Sequence, residues 1–131
     1  MLSHYIDGIW EGGRGAPLAV VDPATGKEIW CGQGASERQL AQACAAARRQ
    51  FPEWSRTPLD ERVAVCRRYR DLLKEQAEQL ASLISQEVGK PLWESLGEAA
   101  SMANKIDISV QAYHERSGTT RTKVADGEAL M

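Results

Sequence analysis

Cys31-Gly32-Gln33-Gly34-Ala35-Ser36 is the stretch of this chain most suggestive of chemistry. It lies between a strand pattern and a helix pattern. A glycine-rich turn there can seat a dinucleotide pyrophosphate on a helix N-terminus. The fingerprint needs a third small residue, and Glu37 occupies that position. A carboxylate there competes with the pyrophosphate for the helix dipole and the free N–H groups. The residues therefore read as a strand exit followed by a serine cap.

A thiol nucleophile needs a base within hydrogen-bond reach. Cys66 falls on the apolar side of its helix and Cys44 in an alanine-rich helix, so both read as packed thiols; Cys31 sits at a strand end. The two histidines, His4 and His114, have no second ligand at metal spacing, which argues against zinc. Asp60-Glu61 suits a helix start, and Glu94 with Glu98 lies one turn apart on a solvated helix face. Trp10, Trp30, Trp54 and Trp93 are not interleaved with basic residues, so they read as core or interface anchors and not as base-stacking platforms. Arg67-Arg68-Tyr69-Arg70 is flanked by Asp60, Glu61, Asp71 and Glu75, the pattern of a salt-bridged exposed face.

Composition sets the outer bounds. The 131 residues are 43% apolar and 26% charged, with a formal net charge of -2. That is the profile of a soluble globular segment, with no charge bias toward nucleic acid. Three cysteines without a CxxC pair favour a reducing compartment, the cytoplasm. No basic region precedes an apolar run near Met1, and no stretch approaches the roughly 20 apolar residues of a membrane span.

The elements that must position these residues fall into two zones. Residues 1-34 read as strands and turns. Asp7-Gly8 is a two-residue hairpin signal, Gly12-Gly13-Arg14-Gly15 a flexible loop, and Asp22-Pro23-Ala24-Thr25-Gly26 a turn between strands at Leu18 to Val21 and Lys27 to Gly32. Residues 36-54, 58-88 and 91-116 read as helical. Ser36 with Gln39 forms a capping box, and Pro52 is expected to end the first helix. Thr57 is expected to cap the second helix with Pro58 at its first position, and a bend is expected around Lys74-Glu75. Leu92, Leu96, Ala99, Ala103, Ile106, Val110 and Tyr113 recur at steps of four and three, the buried stripe of a helix of about six turns. Residues 117-131 read as a loop and the start of a strand that is cut short. Between the last two helices, Glu87-Val88-Gly89-Lys90-Pro91 reads as a joint, with Gly89 left-handed and Pro91 in the first turn of the next helix.

These residues carry a resemblance. Val21-Asp22-Pro23-Ala24-Thr25-Gly26-Lys27 resembles the N-P-x-T-G-E turn of aldehyde dehydrogenases. Ala45-Ala46-Ala47 with Phe51-Pro52-Glu53-Trp54 resembles the family's A-x-x-A-F-x-x-W helix end. Arg62, Leu72-Leu73 and Leu80, followed by Glu87 to Pro91, resemble its R…LL…L…E-x-G-K-P region. Within the family, Met102 to Ser109 and Ala112 to Gly118 look like the branch that oxidises N-succinylglutamate 5-semialdehyde in arginine catabolism. Asp22, Lys27 and Val88 depart from the common pattern, all in turns and joints.

The resemblance implies an α/β fold with a Rossmann-like coenzyme domain, of which this α+β chain would be the N-terminal part, short strands followed by three to four amphipathic helices. It implies NAD(P)-dependent oxidation of a small aldehyde to a carboxylate, with NAD expected and NADP an alternative. A thiolate attacks the carbonyl, hydride leaves to the nicotinamide, and water hydrolyses the thioester. The family's catalytic residues and main coenzyme strands lie C-terminal to the equivalent of Met131. No catalytic or cofactor residue transfers, and the chain alone is expected to be inactive. It also implies a homo-oligomer, without nucleic-acid or membrane partners. Two weaker transfers remain: a monovalent cation near the Val21 carbonyl and Glu87, and a substrate tunnel bordered by Met102. The competing reading is a free-standing helical interaction module that grips a partner with its apolar stripes.

Overall fold

The computed structural model describes residues 2–117, 121–125 and 127–130. Met1, Gly118 at the end of the Ala112 to Gly118 stretch, Thr119, Thr120, Asp126 and Met131 lie outside the described residues. The architecture is α+β: three separate two-stranded antiparallel sheets and four helices.

β1 (His4–Ile6) and β2 (Ile9–Glu11) pair antiparallel around Asp7-Gly8. Both turn residues have positive φ, 53° and 83°, as a tight hairpin requires. Tyr5 and Trp10 stand opposite each other with ring centroids 5.3 Å apart. β3 (Pro17–Val21) and β4 (Glu28–Gln33) form the second hairpin, with a bulge between Val20 and Val21. Its turn is built by Asp22, whose Oδ1 accepts from the Ala24 and Thr25 amides at 2.8 and 3.3 Å, while Gly26 closes it at φ 71°.

The loop 12–15 is not free, contrary to the expectation of a flexible segment. Gln39, buried at the start of α1 (Glu37–Arg56), donates to the Gly12 carbonyl and accepts from the Arg14 amide. Gly15 and Gly34 also bond across the two segments. A Cβ at Gly13 would collide with the Gln33 and Gly34 carbonyls, so glycine is needed for the backbones to close together.

α1 runs through Pro52 to Arg56, so the proline does not end the helix. So close to the C-terminus it removes one backbone bond, and the last turn still closes by the Thr57 amide on Glu53 and Trp54. Thr57 is the end cap of α1 and not the N-cap of α2 (Leu59–Glu75); Pro58 holds that place with extended ψ. Gln76 separates α2 from α3 (Ala77–Val88), placing the expected bend one residue past Glu75. Gly89 ends α3 at φ 75°, as expected. Pro91 is the N-cap of α4 (Leu92–Arg116), just before its first turn.

α4 packs on both α2 and α3. Its buried face is Ser95, Ala99 and Ala103, spaced by four, and with Leu73 of α2 and Ala81 of α3 these make up the buried core among the described residues. The expected stripe is half right. Ala99 and Ala103 are buried, but Leu92, Leu96 and Tyr113 are 40 to 53% exposed, and Ser95 was not on the stripe. Small residues let helix axes approach, which displaces the bulky neighbours to the edges of the contact. Beyond α4, β5 (Arg121–Val124) and β6 (Gly127–Leu130) pair antiparallel, where a single cut-short strand was expected.

The accessible surface is 10284 Å². A compact 14.4 kDa protein would expose about 6,800 Å². Much of the apolar surface of the helices is uncovered.

Candidate functional site

Two places gather the residues singled out by the sequence. The first is the joint between α3 and α4. Gly89 lies against the ring of Pro23, so the turn after β3 abuts the helix joint. Val21, the last residue of β3, and Glu87, in the last turn of α3, each stand two residues from that contact, and both are exposed. Lys90 beside them pairs with Glu98 at 3.0 Å and Glu94 at 3.8 Å, and the Glu98 hydrogen bond raises the Lys90 pKa above the usual lysine value. The acid pair is thus an ion-paired helix face. No group of three or more metal-ligating side chains occurs among the described residues.

The second place is a groove of about 530 Å³ between α2 and α4, with Met102 in its wall. Trp54, Val63, Cys66, Ile106 and Tyr113 make most of the remaining wall, and Arg62 and Lys105 contribute their side chains. Sequence reasoning missed Arg62 and Lys105 as groove residues; their spacing from Cys66 and Met102 by four and three was the available signal. Trp54 is 42% exposed and so is a wall residue, not a core anchor. Arg70 crosses from α2 to Asp107 of α4 at 2.9 Å and also pairs with Asp71, as the basic run suggested; Asp71 and Asp107 raise its pKa.

The thiols are not packed: Cys31, Cys44 and Cys66 are all free and exposed. Cys66 lines the open groove between α2 and α4, and Cys44 stands on an exposed face of α1. Cys31 hydrogen-bonds Glu28, which together with that carboxylate's charge pushes its pKa up. That is the wrong direction for a nucleophile. Ser3 and His4 share a 2.9 Å hydrogen bond but are consecutive residues with no acid behind them among the described residues. The turn from β4 to α1 does not fit a dinucleotide. Gln39 occupies the Ser36 amide, and Glu37 stands in the first helical turn.

The chain is similar to known proteins along its whole length. The pattern of the aldehyde dehydrogenase family matches residues 10–131. An N-succinylglutamate 5-semialdehyde dehydrogenase 2 of Caulobacter vibrioides is 46% identical over 127 residues, 97% of this chain and 26% of that protein. An N-succinylglutamate 5-semialdehyde dehydrogenase of Burkholderia mallei is 47% identical over all 131 residues, 27% of its own length. The chain therefore spans about a quarter of the curated relatives it matches. The crystal structure of a succinate-semialdehyde dehydrogenase from Burkholderia pseudomallei aligns with TM-score 0.82 at 31% identity, covering 95% of this chain and 26% of that one. An NADP-dependent glyceraldehyde-3-phosphate dehydrogenase from Bacillus halodurans, complexed with NADP, aligns with TM-score 0.82 at 26% identity over 95% and 28% of the two chains.

Proposed function

The chain belongs to the aldehyde dehydrogenase family, and we propose that it forms the N-terminal scaffold of an N-succinylglutamate 5-semialdehyde dehydrogenase. The observation that carries the substrate is the 46–47% identity, sustained over 97–100% of the chain, to relatives bearing that name. The reaction is oxidation of the semialdehyde to N-succinylglutamate with NAD or NADP as hydride acceptor, in the cytoplasm, by a homo-oligomer. The coenzyme supplies hydride acceptance when bound. The turn from β4 to α1, with Gln39 on the Ser36 amide and Glu37 in the first helical turn, does not fit it.

What these residues do is positional. Ser95, Ala99 and Ala103 seat α4 on α2 and α3, and Gly89 against Pro23 sets where α4 begins. Met102 then borders the path of the aldehyde. The Val21 carbonyl and Glu87, each two residues from the Pro23–Gly89 contact, bind a monovalent cation in the assembled enzyme.

The test is an activity assay. The purified 131-residue chain with NAD and N-succinylglutamate 5-semialdehyde should give no NADH absorbance above blank. Co-expression with the part of the Burkholderia mallei relative that it does not match should restore turnover. Thiol-sensitive turnover by the chain alone, or none in the co-expressed pair, would overturn the proposal.

A further inference from the structure

Arg62 of α2 and Lys105 of α4 are the charged residues that line the groove between those helices, and no carboxylate lines it with them. Neither cation forms an ion pair among the described residues. The sequence explains why. Three and four residues to either side of each stand Pro, Leu, Val, Cys, Ser, Met and Ile, and no acid, so no partner is available one helical turn away. Asp107, the acid nearest to Lys105 in sequence, is taken by Arg70 at 2.9 Å. The Arg62 Nε is moreover shut off from solvent without a hydrogen-bond partner. A buried donor left unmade has lost the hydrogen bond it made to water, and two like charges in one groove repel. An anion entering the groove relieves both. The wall around the cations is apolar, with Trp54, Val63, Met102 and Ile106. Its volume of about 530 Å³ falls within the ~300–1,000 Å³ of small-molecule sites.

We infer that Arg62 and Lys105 bind the carboxylates of the substrate along the aldehyde path, and that the pair selects an aldehyde carrying two carboxylates over one carrying a single carboxylate. The inference rests on the function proposed above and deepens it. N-succinylglutamate 5-semialdehyde, the substrate in the names of the matched relatives, has one carboxylate on its glutamate part and another at the end of its succinyl chain, with methylenes between. The guanidinium offers a planar fork to one carboxylate and the ammonium a point charge to the other. The methylenes lie on the apolar wall, and the uncharged aldehyde end is left to run on past Met102. Arg62 belongs to the pattern that resembles the whole family, whereas Lys105 lies in the Met102 to Ser109 stretch that resembles one branch. Discrimination between one carboxylate and two therefore falls to Lys105.

The test uses this chain co-expressed with the unmatched part of the Burkholderia mallei relative. Two aldehydes are compared: N-succinylglutamate 5-semialdehyde, and succinate semialdehyde, the one-carboxylate aldehyde in the name of the aligned Burkholderia pseudomallei enzyme. K105M should raise KM for the first roughly tenfold or more with little change in kcat, because a binding charge is lost and the chemistry is not touched. KM for succinate semialdehyde should hardly move. K105R, which keeps the charge, should restore most of the loss. Cys66 lines the same groove and gives a readout independent of turnover. Saturating N-succinylglutamate should slow its labelling by iodoacetamide in the parent pair, and should protect it far less in K105M. An active pair in which K105M leaves the ratio of the two KM values unchanged, in which K105R is no better than K105M, or in which N-succinylglutamate does not protect Cys66, overturns the inference and leaves the family reading standing. A pair that oxidises neither aldehyde overturns the family reading, and the inference falls with it.

Discussion

A methyl group on Gly89 would sit 2.7 Å from Cγ of Pro23. The two residues are 66 positions apart in sequence, and each belongs to a separate turn. Gly89 ends α3 at φ 75°, donating its amide to the Ser85 carbonyl at 2.8 Å, and Pro23 rides on the turn that Asp22 holds. The contact therefore ties the β3–β4 hairpin to the start of the longest helix. Glycine is needed there twice, for the left-handed backbone and for the space.

G89A should destabilise the chain by about 1–2 kcal/mol from the left-handed backbone alone, and further from the clash with a stiff proline ring. The two contributions can be separated. In urea melts, P23A/G89A should regain the steric part but not the backbone part, giving a coupling between the sites. Strict additivity of the two substitutions would show that the ring does not press on the joint.

Gln39 is the other long-range tie. It is 1% exposed and serves three backbone groups: the Gly12 carbonyl, the Arg14 amide and the Ser36 amide. Q39A should cost about 2–4 kcal/mol, since each buried group left unmade costs about 1–3 kcal/mol and water can reach part of the vacated space. Q39E keeps both acceptor roles and loses the donor to Gly12, so it should fall between the two. Hydrogen exchange at the Arg14 amide should accelerate in Q39A and stay slower in Q39E. Equal exchange in the two variants would refute the assignment.

Features set by neighbours in sequence were legible before the structure. The Asp7-Gly8 hairpin, the Asp22 to Gly26 turn, the Ser36–Gln39 box and the left-handed Gly89 each follow from side chains acting within four residues. What failed depended on distant packing. Ser95 carries no hydrophobic signal, yet it is fully buried because its hydroxyl meets Ser85 at 2.9 Å across the α3–α4 contact. Leu92 and Leu96 look like core and are exposed, because the small residues Ser95, Ala99 and Ala103 make the close helix contact and leave the bulky leucines at its edges. Thr57 has a cap's chemistry, but its hydroxyl donates backward to the Glu53 carbonyl and so finishes α1. The groove was half legible: Met102 was singled out, while Arg62 entered only through the R…LL…L pattern, which does not say what it faces.

Asp22 should show a measurable pH signature. The Ala24 amide, with help from Thr25, holds its pKa below the 3.8 of an unperturbed aspartate. A lowered acid stabilises the fold above its unfolded pKa, and that contribution is lost as pH falls through the folded value. The turn should therefore be intact from neutral pH down to about pH 4 and loosen below it. Carbon-detected NMR of the Asp22 carboxylate should report a midpoint under 3.8, and D22N should remove the acid step while keeping an acceptor for the Ala24 amide. A midpoint above 3.8 would contradict the geometry.

The three thiols are all exposed, so exposure cannot rank their reactivity and the local field must. Cys31 is hydrogen-bonded to Glu28, which raises its pKa and lowers its thiolate fraction near neutrality. Alkylation at pH 8 should modify Cys31 more slowly than Cys44, which stands on an open face of α1. E28Q removes the charge while keeping a polar partner, so it should speed Cys31 without changing Cys44. The expected acceleration is modest, roughly two- to fivefold, because the shift of an exposed group is screened by solvent. Peptide mass mapping of partial iodoacetamide labelling measures all three sites in one experiment, with Cys44 as the internal standard. If Cys31 labelled first, or if E28Q left its rate unchanged, Glu28 would not control the thiol, and the strand end would have to be reconsidered as a reactive site.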